Sequence, residues 1–268
     1  MSQKPLDLSR VFELEPHGPD TYVGESPSYE WGRIYGGLVI AQALWAATDT
    51  VREDHGVHSL HAYFILGGDL SEPVRYEVDR VRNGRSFSTR RVVARQSGGA
   101  ILTLACSFQR AEEGPSDQSA VFPDVPRPED LESDLDAGVE LREVEAPVAP
   151  PGARAWVRFP EALGDDPRLQ ACGLAYLSDV NMIGAIGASS PDLIPEGSSW
   201  EESIMAASLD HAMWFHHPAR ADDWVLLDMA GHGLIGTRGL ATGQGFDAHG
   251  THIVTIAQEG LLRRRKRA

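Results

Sequence analysis

Asp210 stands in SLDHAMWFHHP beside Leu209, Ala212, Met213 and Trp214. A carboxylate in such apolar company is suited to take a proton from a bound water. Gln258, in VTIAQEG, carries a donor and an acceptor on one amide and could fix that water's orientation. His232 sits between Gly231 and Gly233. Its imidazole titrates near neutrality, so it could orient water or act as the base with Asp210 holding the ring. Gly36 and Gly37 open an apolar helix. Helix-start N–H groups lack intrahelical partners and favour negative charge, which suits a developing oxyanion. A base, a water-orienting amide and donors for an oxyanion are what water attack on a carbonyl requires. Plainer roles compete at each position: an N-cap or surface carboxylate for Asp210, an outward strand residue for Gln258, an outward ring for His232, and a simple turn for the glycine pair.

Other reactive types are less suggestive. Arg80, Arg82, Arg85, Arg90, Arg91 and Arg95 lie on expected strands of an otherwise acidic chain. Arginine matches phosphate by bidentate contact, and Arg85 and Arg90 are the substrate-binding candidates, against a solvated strand face with local ion pairs. The basic run Arg263–Arg267 reads as a frayed tail. His216 and His217 precede Pro218 without a second ligand pair at metal-binding spacing, so neither a metal nor a cofactor is assigned. Cys106 and Cys172 form no disulfide or metal pattern and read as small buried hydrophobes. G-x-S-x-G is absent, which removes the serine-hydrolase route.

The elements that must hold these residues repeat. YGGLVIAQALWAATDTV, HSLHAYFILGG, RSFSTRRVVARQ and AILTLACSFQ make a helix followed by strands. LAYLSDVNMIGAIGA, SLDHAMWFHHP, DWVLLDMAG, TRGLATGQGF and HIVTIAQEG repeat the plan. His61 answers to His211 and Thr103 to Thr255 at nearly one offset, the mark of a duplicated unit. In that alignment Asp210 faces Leu60 and Gln258 faces Cys106. Leu38–Val51 is apolar nearly all round and must be enclosed. The following strands read as antiparallel, with turns at Asn83-Gly84 and Ser97-Gly98-Gly99. A buried helix wrapped by an antiparallel sheet is the hotdog arrangement. The fold expected is therefore α+β, a double hotdog with two antiparallel sheets each wrapping a long helix and free to pair edge to edge. The boundaries are 1–110, an acidic Pro-rich linker over 111–152, and 153–268.

The 268 residues carry a formal charge of -15 and a pI near 5.0, which argues against a nucleic-acid or anionic-membrane partner. No apolar run of bilayer length and no signal-like start is read, so a soluble cytoplasmic protein is expected. Paired units make a pseudo-dimer, leaving further homo-oligomerisation optional.

RIYGGLVIAQAL, VHSLHAYFILGGD, VRNGRSFSTRRVVARQ, ASLDHAMWFHHP and VTIAQEGLLR, in that order, resemble the motifs of the acyl-CoA thioesterase II family. The resemblance covers all but the linker. It implies a double-hotdog fold, an acyl-CoA substrate, a place in lipid metabolism, and hydrolysis by direct water attack. It also implies an aspartate in the LDH motif, a hydroxyl residue on the following strand and a glutamine in the VQEG motif, which fall on Asp210, near His232 and on Gln258. The family's oxyanion contact falls at Gly36-Gly37. The hydroxyl position is a departure, since His232 is neither Ser nor Thr. An enoyl-CoA hydratase pairing Asp210 with His232, and a non-catalytic acyl-CoA binding module, are the alternatives.

Overall fold

The computed structural model describes residues 8, 10–145 and 151–265. The apolar run after the glycine pair forms α1 (Gly36–Thr48), buried throughout from Gly37 except at Trp45. A helix with so little polar surface has to be wrapped. β1 (Glu15–Pro16), β2 (Thr21–Gly24), β3 (His55–Phe64), β4 (Val74–Asn83), β5 (Phe87–Gln96) and β6 (Gly99–Arg110) supply the wrapping sheet. The second half has β9 (Gly152–Arg158), α2 (Pro167–Leu177), α3 (Met182–Ala188) and the single turn α4 (Trp200–Ser203). β10 (Ile204–Ser208), β11 (Asp210–Phe215), β12 (Val225–Ile235), β13 (Arg238–Asp247) and β14 (His252–Arg264) complete it.

The linker is not structureless. It contributes the hairpin β7 (Asp134–Asp136) and β8 (Val139–Glu143), and β8 pairs with β9 at the edge of the second half. Residues 146–150 of the linker lie outside the described residues.

The two sheets expected from sequence, read as free to pair edge to edge, are joined into one. All strands join a single antiparallel sheet, in the order β1-β2-β4-β5-β6-β3-β11-β14-β13-β12-β9-β8-β7, with β10 also on β14. The halves meet where β3 pairs with β11, Ala212 opposite His61 and Met213 opposite Leu60. Pairing there removes an exposed edge from each half. On either side of this seam the order mirrors itself, β3-β6-β5-β4-β2 against β11-β14-β13-β12-β9.

The second-half helix is also not continuous. α2 ends at Leu177, and α3 begins after Asn181, whose backbone is left-handed at φ 60°. By length and composition Pro167–Ala188 is apolar enough to cross a bilayer, contrary to the reading of no such stretch. It is broken and mostly buried, which marks a core helix. The C-terminal arginines are corrected likewise: Arg264 and Arg265 hydrogen-bond the carbonyls of Leu193 and Ile204. Lys266 and Arg267 lie outside the described residues.

Candidate active site

Side chains alternate faces along a strand, so residues three apart ordinarily point to opposite sides. Ser208 and His211 escape that rule. β10 pairs with β14 as Ser208 opposite Gly260, whereas β11 pairs as Ala212 opposite Ala257, a register slip of one residue at Leu209–Asp210. Such a bulge re-aims the side chains beyond it. Both side chains consequently converge on Gln258, which is fully buried on β14. Gln258 Nε2 donates to Ser208 Oγ at 2.9 Å, and Gln258 Oε1 meets His211 Nδ1 at 2.5 Å. His211 Nε2 lies 2.8 Å from Ser178 Oγ.

The gap between α2 and α3 brings in the carboxylate. Asp179 lies in that break and lines a cavity of about 800 Å³. The Gln258 amide and the backbone N–H of Gly37 both donate to it. The cavity is further lined by Gly36, Val39, Phe64, Ile101, Asp136 and Ser208. It opens at the first turn of α1, whose N-cap residue Tyr35 makes no side-chain cap. Glycine is required there sterically: a Cβ on Gly36 would sit 2.7 Å from Asp179 Oδ2 and 3.0 Å from the Phe64 ring.

Burial pushes the Asp179 carboxyl up to about 7, against the pull of its two donors, and Asp136 pushes the same way. A carboxyl poised there can exchange a proton at neutral pH. Burial pushes His211 down to about 4, so its ring is neutral under ordinary conditions. Burial likewise raises the thiols of Cys106 and Cys172, both free and buried.

Of the residues proposed from sequence, the structure places Gly36 in the cavity wall, sets Gly37 and Gln258 behind it against Asp179 and Ser208, and leaves four elsewhere. Asp210 does not line it. Its Oδ1 accepts from Glu259 N–H at 2.7 Å, satisfying a ladder donor at the bulge. His232 is exposed on β12 with Nε2 2.7 Å from Thr242 Oγ1. β13 and β14 lie between its strand and that of Asp210, so the Asp210/His232 pair needed by the hydratase alternative is not formed. Arg90 is buried and spends its guanidinium on Thr50, Arg82, Thr89 and Asn83, leaving it unavailable to phosphate. Arg85 is exposed in the β4–β5 turn, beside the Arg110 end of β6. The cavity touches β6 at Ile101, nine residues away, about 30 Å along a strand.

Sequence reasoning passed over Asp179, Ser208 and His211. Ser178-Asp179 followed by Asn181 inside LAYLSDVNMIGAIGA is a polar break in an apolar run, and that was the available signal. Ser208 is the first residue of the same SLDH motif, and only the bulge turns it inward.

Residues 26–109 match the family described as Acyl-CoA thioesterase N-terminal domain, and residues 111–262 match Acyl-CoA thioesterase C-terminal domain. Acyl-coenzyme A thioesterase 8 of Mus musculus is 36% identical, covering 96% of this chain and 88% of its own. Acyl-CoA thioesterase 2 of Haemophilus influenzae is 32% identical, covering 96% and 97%. The crystal structure of acyl-CoA thioesterase II TesB2 from Mycobacterium marinum superposes with TM-score 0.83 at 35% identity, covering 97% and 98%.

Proposed function

The chain belongs to the acyl-CoA thioesterase family, and from that premise we infer that it hydrolyses acyl-CoA thioesters with Asp179 as general base. The observation that carries this assignment is the convergence of Asp179, Gln258 and Ser208 beside the uncapped start of α1. The acyl group lies in the cavity, and the thioester carbonyl faces the first turn of α1 at Gly36 and Gly37. Water is held between the Asp179 carboxylate, the Gln258 amide and the Ser208 hydroxyl. Asp179 takes a proton as the water oxygen bonds the carbonyl carbon. The helix start stabilises the resulting oxyanion. Collapse breaks the C–S bond, and the CoA thiolate takes the proton back from Asp179.

The fold is read as two hotdog units, 1–110 and 153–268, in support of which stands the mirrored strand order about the β3–β11 seam. The pairing of β8 with β9 supports assigning part of the 111–152 joint to the second unit.

A single turnover in ¹⁸O-labelled water, with enzyme in excess over acyl-CoA, tests the chemistry. Direct water attack puts one ¹⁸O into the acid in that first turnover. An unlabelled acid would mean that a protein carboxylate attacked instead, and would end the general-base assignment.

A further inference from the structure

Gln258 serves the proposed chemistry only in one orientation. An amide turned over would aim its oxygen at the Asp179 carboxylate, replacing an attraction by a repulsion, while Ser208, which can donate or accept, would bond either end. Rotation about the last side-chain bond of glutamine is soft, so burial alone does not choose between the two. Something has to recognise the oxygen end, and His211 is the group in contact with it, Nδ1 lying 2.5 Å from Gln258 Oε1.

The proton positions are set by the chemistry of the partners. An amide oxygen only accepts, so His211 Nδ1 carries the hydrogen. The ring is neutral, and Nε2 therefore accepts. Ser178 Oγ lies 2.8 Å from both Nε2 and the Ala175 carbonyl and has one hydrogen for the two. With Nδ1–H spent on the amide, Nε2 has no hydrogen to offer Ser178, so that hydrogen goes to Nε2, and this residue sits directly before Asp179 in the α2–α3 break. The chain of hydrogen bonds then runs one way: Ser178 to His211, His211 to Gln258, Gln258 to Asp179 and Ser208. His211 is 1% exposed and does not line the cavity, so it acts through Gln258 and touches no reacting atom.

We propose that His211 is a positioning residue that locks the Gln258 amide with both N–H hydrogens turned towards Asp179 and Ser208, and that it ties the segment bearing Asp179 to the strand bearing Gln258. This rests on the assignment of Asp179 and Gln258 given above.

Three variants separate the two ends of the ring. In His211→Asn the side-chain NH2 falls where Nδ1–H was and still reaches Gln258. In His211→Gln the amide falls near Nε2 and reaches Ser178 alone. His211→Leu reaches neither. Turnover of an acyl-CoA, followed by thiol release, is measured for each alongside Asp179→Asn, with thermal melts to confirm folding. Leu and Gln should lower kcat on the order of 10²-fold with KM little changed, the scale of a misplaced reacting group. Asn should recover most of that loss. The acid limb of the kcat–pH profile should also move upward in Leu and Gln, because the carboxylate loses an amide donor, and should stay in place in Asn. Asp136, Tyr35 and Tyr176 also act electrostatically around Asp179 and are the same in all variants. Equal rates for the folded Asn and Gln variants, or wild-type kcat in the folded Leu variant, would overturn the lock while Asp179→Asn stays inactive. An active Asp179→Asn would instead remove the assignment beneath it. For a Leu variant that does not fold, the Asn-against-Gln comparison decides.

Discussion

The two halves of the sheet place different chemistry at one structural address. In the first half β3 and β6 pair Leu60 directly with Cys106, and both side chains are buried. In the second, the step beyond Ala212–Ala257 sets His211 opposite Gln258, equally buried and joined by a hydrogen bond. The helix starts differ in the same sense. α2 is capped by its own N-cap residue Asp166, which accepts from Arg168 N–H and holds the Arg168 guanidinium, whereas α1 has no cap from its N-cap residue Tyr35 and turns its first N–H groups to the cavity and Asp179. A duplicated frame thus supports two outcomes. One copy is packed as core and lends its open helix start, and the other keeps a polar cluster whose burial is offset by complete hydrogen bonding.

The largest effect expected from breaking this asymmetry is at Asp179. Asp179→Asn should lower kcat by about 10² to 10⁴, the contribution of a general base. The wild-type kcat should fall below an apparent pKa of about 7, and the residual rate of the variant should lose that limb. A folded Asp179→Asn protein with undiminished turnover would return the search to other carboxylates.

Giving the second half the pair of the first comes next. His211→Leu with Gln258→Cys should fold, with Tm within about 5 °C of wild type, because the other half packs the same pair. Its kcat should fall on the order of 10²-fold. Substantial activity in the double variant would show that the polar pair is ornament to the reaction.

Gly36→Ala closes the open helix start by setting a methyl against the carboxylate. About a tenfold loss in kcat/KM is expected, measured at saturating and limiting substrate. An unchanged kcat/KM would place the carbonyl elsewhere.

Stability carries a smaller signature. The folded Asp179 pKa is raised, so protonation favours the folded state, and this support is lost as pH rises through about 4 to 7. Thermal melts should show wild type losing ground to Asp179→Asn between about pH 5 and 8, a range that spans the upper part of that window. Parallel melting curves across the range would contradict the buried carboxyl.

The smallest effect belongs to Asp210. Asp210→Asn keeps an acceptor for Glu259 N–H, so turnover should stay within about twofold, while Asp210→Ala should lower stability by about 1–2 kcal/mol through the orphaned donor. A strong loss of turnover in Asp210→Asn would restore it to the reaction.

Much of the molecule was legible in its residues. Continuous apolarity after Gly37 required an enclosed helix, the strand patterns required antiparallel pairing, and the glycines and Gln258 were picked out by type and setting. The repeat was read correctly at Gln258 and Cys106 but one residue out at His211. The observed register answers His211 with Leu60, since His61 faces outward and His211 inward. A slip of one residue reverses a strand's faces, and sequence similarity between HSLHA and SLDHA gives no sign of it.

Local pattern is sufficient for a buried helix, because hydrophobicity and period are properties of a single segment. Which carboxylate enters the site is not such a property. Asp210 and Asp179 are both lone acids in apolar runs, and their fates were decided by a bulge that turned one to a neighbouring backbone N–H and a helix break that turned the other to the cavity. A bulge is one extra residue measured against a partner strand, and β14 lies some fifty residues beyond it in the chain. The sequence by itself determined the layers and the kinds of groups available, and only the pairing of distant strands decided which of them face one another.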